Sequence, residues 1–116
     1  MNLPTSSILL RIHLGESDKL GHSPLYEAIV EKARSAGLAG ATVFRGSMGF
    51  GANSLIHSSK ILQLSMDLPV VVEIIDSEEK VRGFLPEIKT MIRGGLVTLQ
   101  HVEVAHYEGH PGDSGG

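Results

Sequence analysis

Val70-Val-Val-Glu-Ile-Ile75 runs directly into Asp76-Ser-Glu-Glu79, and this junction decides the fold. The first stretch is β-branched and almost continuously apolar. It predicts a strand covered on both faces, or covered on one face and set against another subunit on the other. The acidic stretch reads as a helix start, with Asp76 as the cap and Glu79 three residues on, as in a capping box. Acids in a first turn also complement the helix dipole. Val81, Phe84, Leu85, Ile88, Met91 and Ile92 then recur at helical spacing. Gly83 and Pro86 interrupt that pattern. A proline inside a helix costs about 3 kcal/mol or more, so a kink, or a regular part shorter than the pattern, is expected. Gly94-Gly95 ends the segment.

Upstream, Ser7-Ile-Leu-Leu-Arg-Ile-His-Leu14 alternates with a period of two. Ile8, Leu10, Ile12 and Leu14 predict one buried strand face, while Arg11 and His13 point to solvent or to another subunit. Residues 15–23 read as a polar connection. Ser23-Pro24 reads as an N-cap followed by a first-turn proline, opening a helix over 24–36. Its apolar positions are Leu25, Ile29, Ala33 and Ala36, and Gly37 follows as a left-handed C′ residue. A second strand is expected over Ala41–Gly46, then a long loop over 47–60. Ile61–Met66 can extend a hairpin back from that loop, and Asp67-Leu-Pro69 breaks the pattern. Downstream, residues 96–107 hold the last strand. Val97 and Leu99 are out of phase with Val102 and Val104, which predicts a turn or bulge near 98–100.

The resulting order is β-α-β-β-α-β. This is the α+β, ferredoxin-like split βαβ plan: a four-stranded antiparallel sheet with both helices on one face. One domain is expected over residues 1–107 and a disordered tail, mostly Gly, Pro, Asp and Ser, over 108–116. The other sheet face is left bare, and its apolar residues predict burial by oligomerisation.

Composition narrows the function. The chain has 116 residues and a net charge of −3, and its ten Lys and Arg residues are scattered. That argues against a nucleic-acid binder, which shows a basic face. With no cysteine, disulfides, thiolate metal sites and a cysteine nucleophile are excluded. No apolar run approaches the roughly 18 residues of a membrane helix. Met1–Ser7 shows neither a basic start nor an apolar core of a signal peptide, so a cytoplasmic location without membrane insertion is expected.

Two segments carry candidate chemistry. Gly46, Gly49 and Gly51 are closely spaced beside Arg45. Such glycines let backbone N–H groups turn toward an anion, and an adjacent arginine can pair with it. The alternative is a loop root that requires positive φ. Arg93-Gly94-Gly95 is the second segment, and its alternative is a C-cap with a cationic last turn. In the split βαβ plan this segment can approach the root of the long loop in a neighbouring subunit, where the two would form a phosphate cleft. The six histidines make no metal signature. His57 lies with Ser54, Ser58 and Lys60 in the long loop, yet no acid partner or nucleophile elbow accompanies it. No catalytic residue is assigned, and Glu16, Asp18 and Lys19 read as a solvated turn.

The blocks Pro24-Leu-Tyr-Glu-Ala-Ile-Val30, Gly37-Leu-Ala-Gly-Ala-Thr-Val-Phe-Arg-Gly46, Gly49-Phe-Gly51, Ile56-His-Ser58, Asp67-Leu-Pro-Val-Val-Val-Glu73 and Gly95-Leu-Val-Thr98 resemble the family called domain of unknown function 190. The resemblance covers roughly residues 7–107. That family is similar in fold to PII signalling proteins. The resemblance therefore implies a homotrimer with adenine nucleotide (ATP, ADP or AMP) bound in clefts between subunits. It also implies a loop after the second strand that docks on a partner, such as a membrane transporter or channel. Carried onto this chain, the ligand-binding residues are Arg45, Gly46, Gly49, Phe50 and Gly51, with Arg93, Gly94 and Gly95. The partner loop contains Asn53, Ser54, His57 and Ser58. No tyrosine lies in this loop, so the tyrosine modification of some PII proteins is not implied. Leu96 and Val97 stand where a PII protein usually has a lysine. The alternative function is an interaction trimer that binds no nucleotide.

Overall fold

The computed structural model describes residues 3–50 and 67–109. Strand β1 is Ser6–Gly15, and a small ribbon follows, β2 Lys19–Leu20 with β3 Ser23–Pro24. Helix α1 is Leu25–Ser35, β4 is Ala41–Arg45, β5 is Pro69–Asp76, α2 is Glu78–Met91 and β6 is Leu96–Glu103. The main sheet has the order β4-β5-β1-β6, and every neighbouring pair is antiparallel. This is the ferredoxin-like arrangement.

The alternation in β1 sorts its side chains as the sequence predicts. Ile8, Leu10 and Ile12 are fully buried and pair with Asp76, Ile74 and Val72 of β5. Leu25, Ile29 and Ala33 of α1 and Val81, Phe84 and Ile88 of α2 close the same core. Helix α1 ends in a Schellman motif. The Leu38 N–H donates to the Ala33 carbonyl at 3.1 Å and the Gly37 N–H to Arg34 at 3.1 Å, with Gly37 at φ +80°.

Three local expectations are corrected. Ser23 does not cap α1. It is drawn into the ribbon opposite Leu20, whose two-residue turn places Gly21 at φ +64°. Pro24 occupies the cap position without a side-chain hydrogen bond, and the Leu25 N–H finds the Asp18 carbonyl at 2.8 Å instead. Asp76 does not cap α2. Ser77 does, its Oγ accepting from the Lys80 N–H at 3.2 Å. Asp76 ends β5, only 2% exposed, and its carboxylate accepts from Ala39 N–H at 2.8 Å and Ser77 N–H at 2.6 Å. It thereby ties the turn after α1 to the start of α2. Helix α2 continues through Pro86 to Met91. The proline is exposed, so the Arg82 carbonyl that lacks its N–H partner lies where water can hydrate it. Finally, β6 contains no bulge. Its register with β1 is unbroken from Ser6↔Glu103 to His13↔Leu96. Val97 and Leu99 face the helices beside Ile12 and Leu10, while Val102 belongs to the other face beside Ser7, so the phase change reflects two faces and not a slip.

Asp76 yields a stability prediction. Asp76→Ala leaves the Ala39 and Ser77 N–H groups without their acceptor, and unpaired buried donors cost about 1–3 kcal/mol. Urea unfolding is expected to show a lower midpoint at unchanged slope.

The sheet face away from the helices carries Leu9, Val71, Ile75 and Phe44, the last two exposed. At its centre the Arg11 Nε donates to Glu73 Oε2 at 2.7 Å. The expected hairpin over 61–66 and most of the expected disordered tail lie outside the described residues.

Candidate functional site

Because β1 and β4 run one way and β5 and β6 the other, Arg45, Gly15, Pro69 and Leu96 all lie at one end of the sheet. Arg45 is the last residue of β4. Gly46 follows, its N–H donating to the Pro69 carbonyl at 2.7 Å. A Cβ on Gly46 would come within 2.7 Å of Pro69 Cγ, and one on Gly49 within 3.1 Å. The chain after β4 thus folds across the ring of Pro69, and at Gly46 the requirement for glycine is space. Beyond it Met48 and Phe50 are 79% and 70% exposed. Gly51, Asn53, Ser54, His57 and Ser58 lie outside the described residues.

The second segment stands at the same end. Helix α2 closes with Ile92 in an extended conformation, its N–H donating to the Ile88 carbonyl, so the glycines that follow are not its C-cap. Gly95 has φ +91°, and a Cβ there would lie 2.5 Å from the His13 carbonyl oxygen. Its role is to let the backbone pass tight against β1 as β6 begins. Arg93 is exposed.

The two segments share an end but occupy opposite edges. β5 and β1 separate β4 from β6, which at about 4.8 Å per strand is roughly 14 Å. Within a single chain the two arginines therefore start from opposite edges, with Arg45 turned to Glu16.

Between them lies a hydrogen-bonded acidic turn. The Gly15 N–H donates to Asp18 Oδ2 at 3.0 Å. Ser17 donates to Asp67 Oδ1 through its N–H at 3.1 Å and its hydroxyl at 2.8 Å. The Glu16 N–H donates to the Leu68 carbonyl at 2.8 Å, and the Glu16 carboxylate meets Arg45 Nη2 at 2.5 Å. The sequence reading missed the roles of Glu16 and Asp67. Polar turn residues carry no signal of their distant partners, and Asp67 showed itself only as the break before Pro69.

Two cavities of the described residues lie elsewhere. One of about 430 Å³ runs between the outer surfaces of α1 and α2 beside Lys32, Glu87 and Met91, with Lys32 paired to Glu87 at 3.3 Å. A second, of about 250 Å³, lies by Tyr26, Val30 and Val43. Neither includes Arg45 or Arg93. Among the described residues, no group of three or more His, Asp or Glu side chains is placed to hold a metal ion. No helix of the described residues is long and apolar enough to cross a membrane.

The model of the DUF190 family, described as an uncharacterized ACR, matches residues 7–104. The chain belongs to this family. Among its relatives, a UPF0166 protein of Aquifex aeolicus is 48% identical over 98 residues, covering 84% of this chain and 92% of that protein. The UPF0166 protein of Methanocaldococcus jannaschii is 33% identical over 97 residues, covering 83% of this chain and 89% of the relative. The DUF190 chain is also similar in fold to solved structures of CPII from Thiomonas intermedia K12. One holds ADP and bicarbonate, with a TM-score of 0.58, 21% identity and coverage of 87% of this chain and 90% of CPII. Another, of CPII described as a nitrogen regulatory PII-like protein, holds ADP, AMP and bicarbonate, with a TM-score of 0.56, 18% identity and coverage of 89% and 97%. The expectation of a PII-like, ferredoxin-like fold is thus met.

Proposed function

We propose that this DUF190 protein is a non-catalytic regulatory subunit that assembles as a homotrimer and binds an adenine nucleotide in clefts between subunits. The observation that carries the reading is the placement of Arg45-Gly46 and Arg93-Gly95 at one end of the sheet but on its opposite edges. Joining an edge of one subunit to the opposite edge of the next brings the two arginines to one anion. Gly49 and Phe50 complete the first wall, and Gly51 is the further ligand-binding residue proposed for this segment. The CPII structures with ADP and AMP support the ligand class. The open sheet face supports assembly, because it leaves Phe44 and Ile75 exposed on either side of the Arg11–Glu73 pair, and apolar groups on one uncovered face are readily buried by a second copy. The segment beginning after β4, with Asn53, Ser54, His57 and Ser58, then signals to a protein partner such as a membrane transporter or channel.

Calorimetric titration with ATP, ADP, AMP and cyclic AMP tests the reading. Saturable binding near one ligand per chain is the expected result, with the nucleotide recovered unchanged after long incubation. Silence from all four would leave the interaction trimer that binds no nucleotide. Assembly has its own test. Val71→Asp with Ile75→Asp puts carboxylates into the proposed interface, where unpaired charge is strongly unfavourable. Sedimentation is expected to shift from trimer to monomer, and an unchanged trimer would place the contact elsewhere.

A further inference from the structure

We infer that Glu16 is an internal competitor for the anion at Arg45, and so a residue that sets which phosphate charge the site prefers. This rests on the nucleotide reading above and extends it. The Glu16 carboxylate occupies one arm of the guanidinium, 2.5 Å from Nη2, with the Glu16 side chain 25% exposed and that of Arg45 56% exposed. The acid is presented by a held turn. Its own N–H is fixed by Leu68, and the residues on either side are fixed by the Gly15–Asp18 and Ser17–Asp67 hydrogen bonds. Little backbone freedom at Glu16 is left to lose when the pair forms, unlike an ion pair between two residues on loose loops.

An arginine offers five N–H donors, and a single carboxylate satisfies only some of them. The outward part of the Arg45 guanidinium therefore remains available to a ligand phosphate. A phosphate bound there sits close to the Glu16 charge, and each added phosphate raises that repulsion. Asp18 and Asp67 lie on the same turn, but their carboxylates already accept the Gly15 and Ser17 donors. Glu16 is the acid in direct contact with the arginine. Its effect is to hold down affinity for the more highly charged nucleotides relative to the less charged ones. Removing its charge without changing its size is expected to raise affinity in the order ATP, then ADP, then AMP, and to leave uncharged adenosine unaffected.

The test is titration of wild type and Glu16→Gln with ATP, ADP, AMP and adenosine at low and high salt. For ADP, about threefold to fivefold tighter binding is expected at low salt, the scale of a partly exposed ion pair. The gain should shrink at high salt through screening. The same substitution in an Arg45→Ala background is expected to give a much smaller gain, since the competition acts through that arginine. Binding by Glu16→Gln where wild type shows none also supports the inference. Equal affinities in the two proteins, or an equal gain for adenosine, would overturn it while leaving nucleotide binding intact. Silence from both proteins toward every ligand would overturn it together with the nucleotide reading. Thermal unfolding of each variant identifies a loss of fold, and Glu16→Ala serves as the second charge-removing variant.

Discussion

Gly95→Ala is expected to destabilise the fold by about 2–4 kcal/mol, the range for a strained backbone position combined with a steric conflict. Two independent effects add. Gly95 has φ +91°, a conformation alanine rarely adopts. The new Cβ would also lie 2.5 Å from the His13 carbonyl oxygen, which belongs to the central strand and cannot turn away as a flexible side chain would. Relief requires the start of β6 to move off β1, which breaks the pairing that begins at His13↔Leu96. Gly83→Ala is the matched control. It is exposed within α2, with nothing within 4 Å of its added Cβ, and is expected to stabilise by about 0.5–1 kcal/mol through helix propensity. Urea midpoints of the two variants should move in opposite directions. A Gly95→Ala midpoint equal to that of wild type would mean that the approach to His13 is not tight in solution.

The contrast between these glycines shows what a sequence can and cannot reveal. Strand β1 and both helices were legible, because burying one face imposes a period that the residues must obey. Ile8, Leu10 and Ile12 follow it, as do Val81, Phe84 and Ile88. The details that escaped depend on partners distant in sequence. Asp76 has the chemistry of a cap, but the open Ala39 N–H draws its carboxylate inward and leaves the capping to Ser77. Ser23 lost its cap role to a ribbon too short to leave a periodic signal. In β6 the mixed phase of Val97, Leu99 and Val102 looked like a slip because apolar residues on both faces of one strand break the period of two just as a bulge does.

The candidate site divides in the same way. Arg45-Gly46 and Arg93-Gly95 were recognisable as residue types suited to an anion, but spacing along the chain carries no information about opposite edges of a sheet. The pairing of Arg45 with Glu16 was invisible for the same reason. Two surface charges far apart in sequence leave no pattern until the fold places them side by side. Gly46 was read as a place for an anion to approach the backbone, with positive φ as the alternative; the fold adds that Pro69 leaves no room there for a Cβ.

Arg45→Ala and Arg93→Ala are each expected to weaken ADP binding by about tenfold to a hundredfold, the loss of a hydrogen-bonded charge contact worth roughly 1.5–3 kcal/mol. Intact binding in both variants would sink the assignment of these residues. The more searching experiment mixes them. Within one chain the arginines stand on opposite edges of the sheet, so the proposed cleft takes Arg45 from one subunit and Arg93 from its neighbour. In any mixed trimer of the two variants, at least one cleft receives an intact Arg45 from an Arg93→Ala chain and an intact Arg93 from an Arg45→Ala chain. Refolding the variants together is therefore expected to restore wild-type affinity in a fraction of the sites, although neither variant alone shows it. A site contained within one chain predicts the opposite, since mixing would return no subunit with both arginines. Restoration would establish that the ligand is held across the interface, with one arginine supplied by each of two subunits.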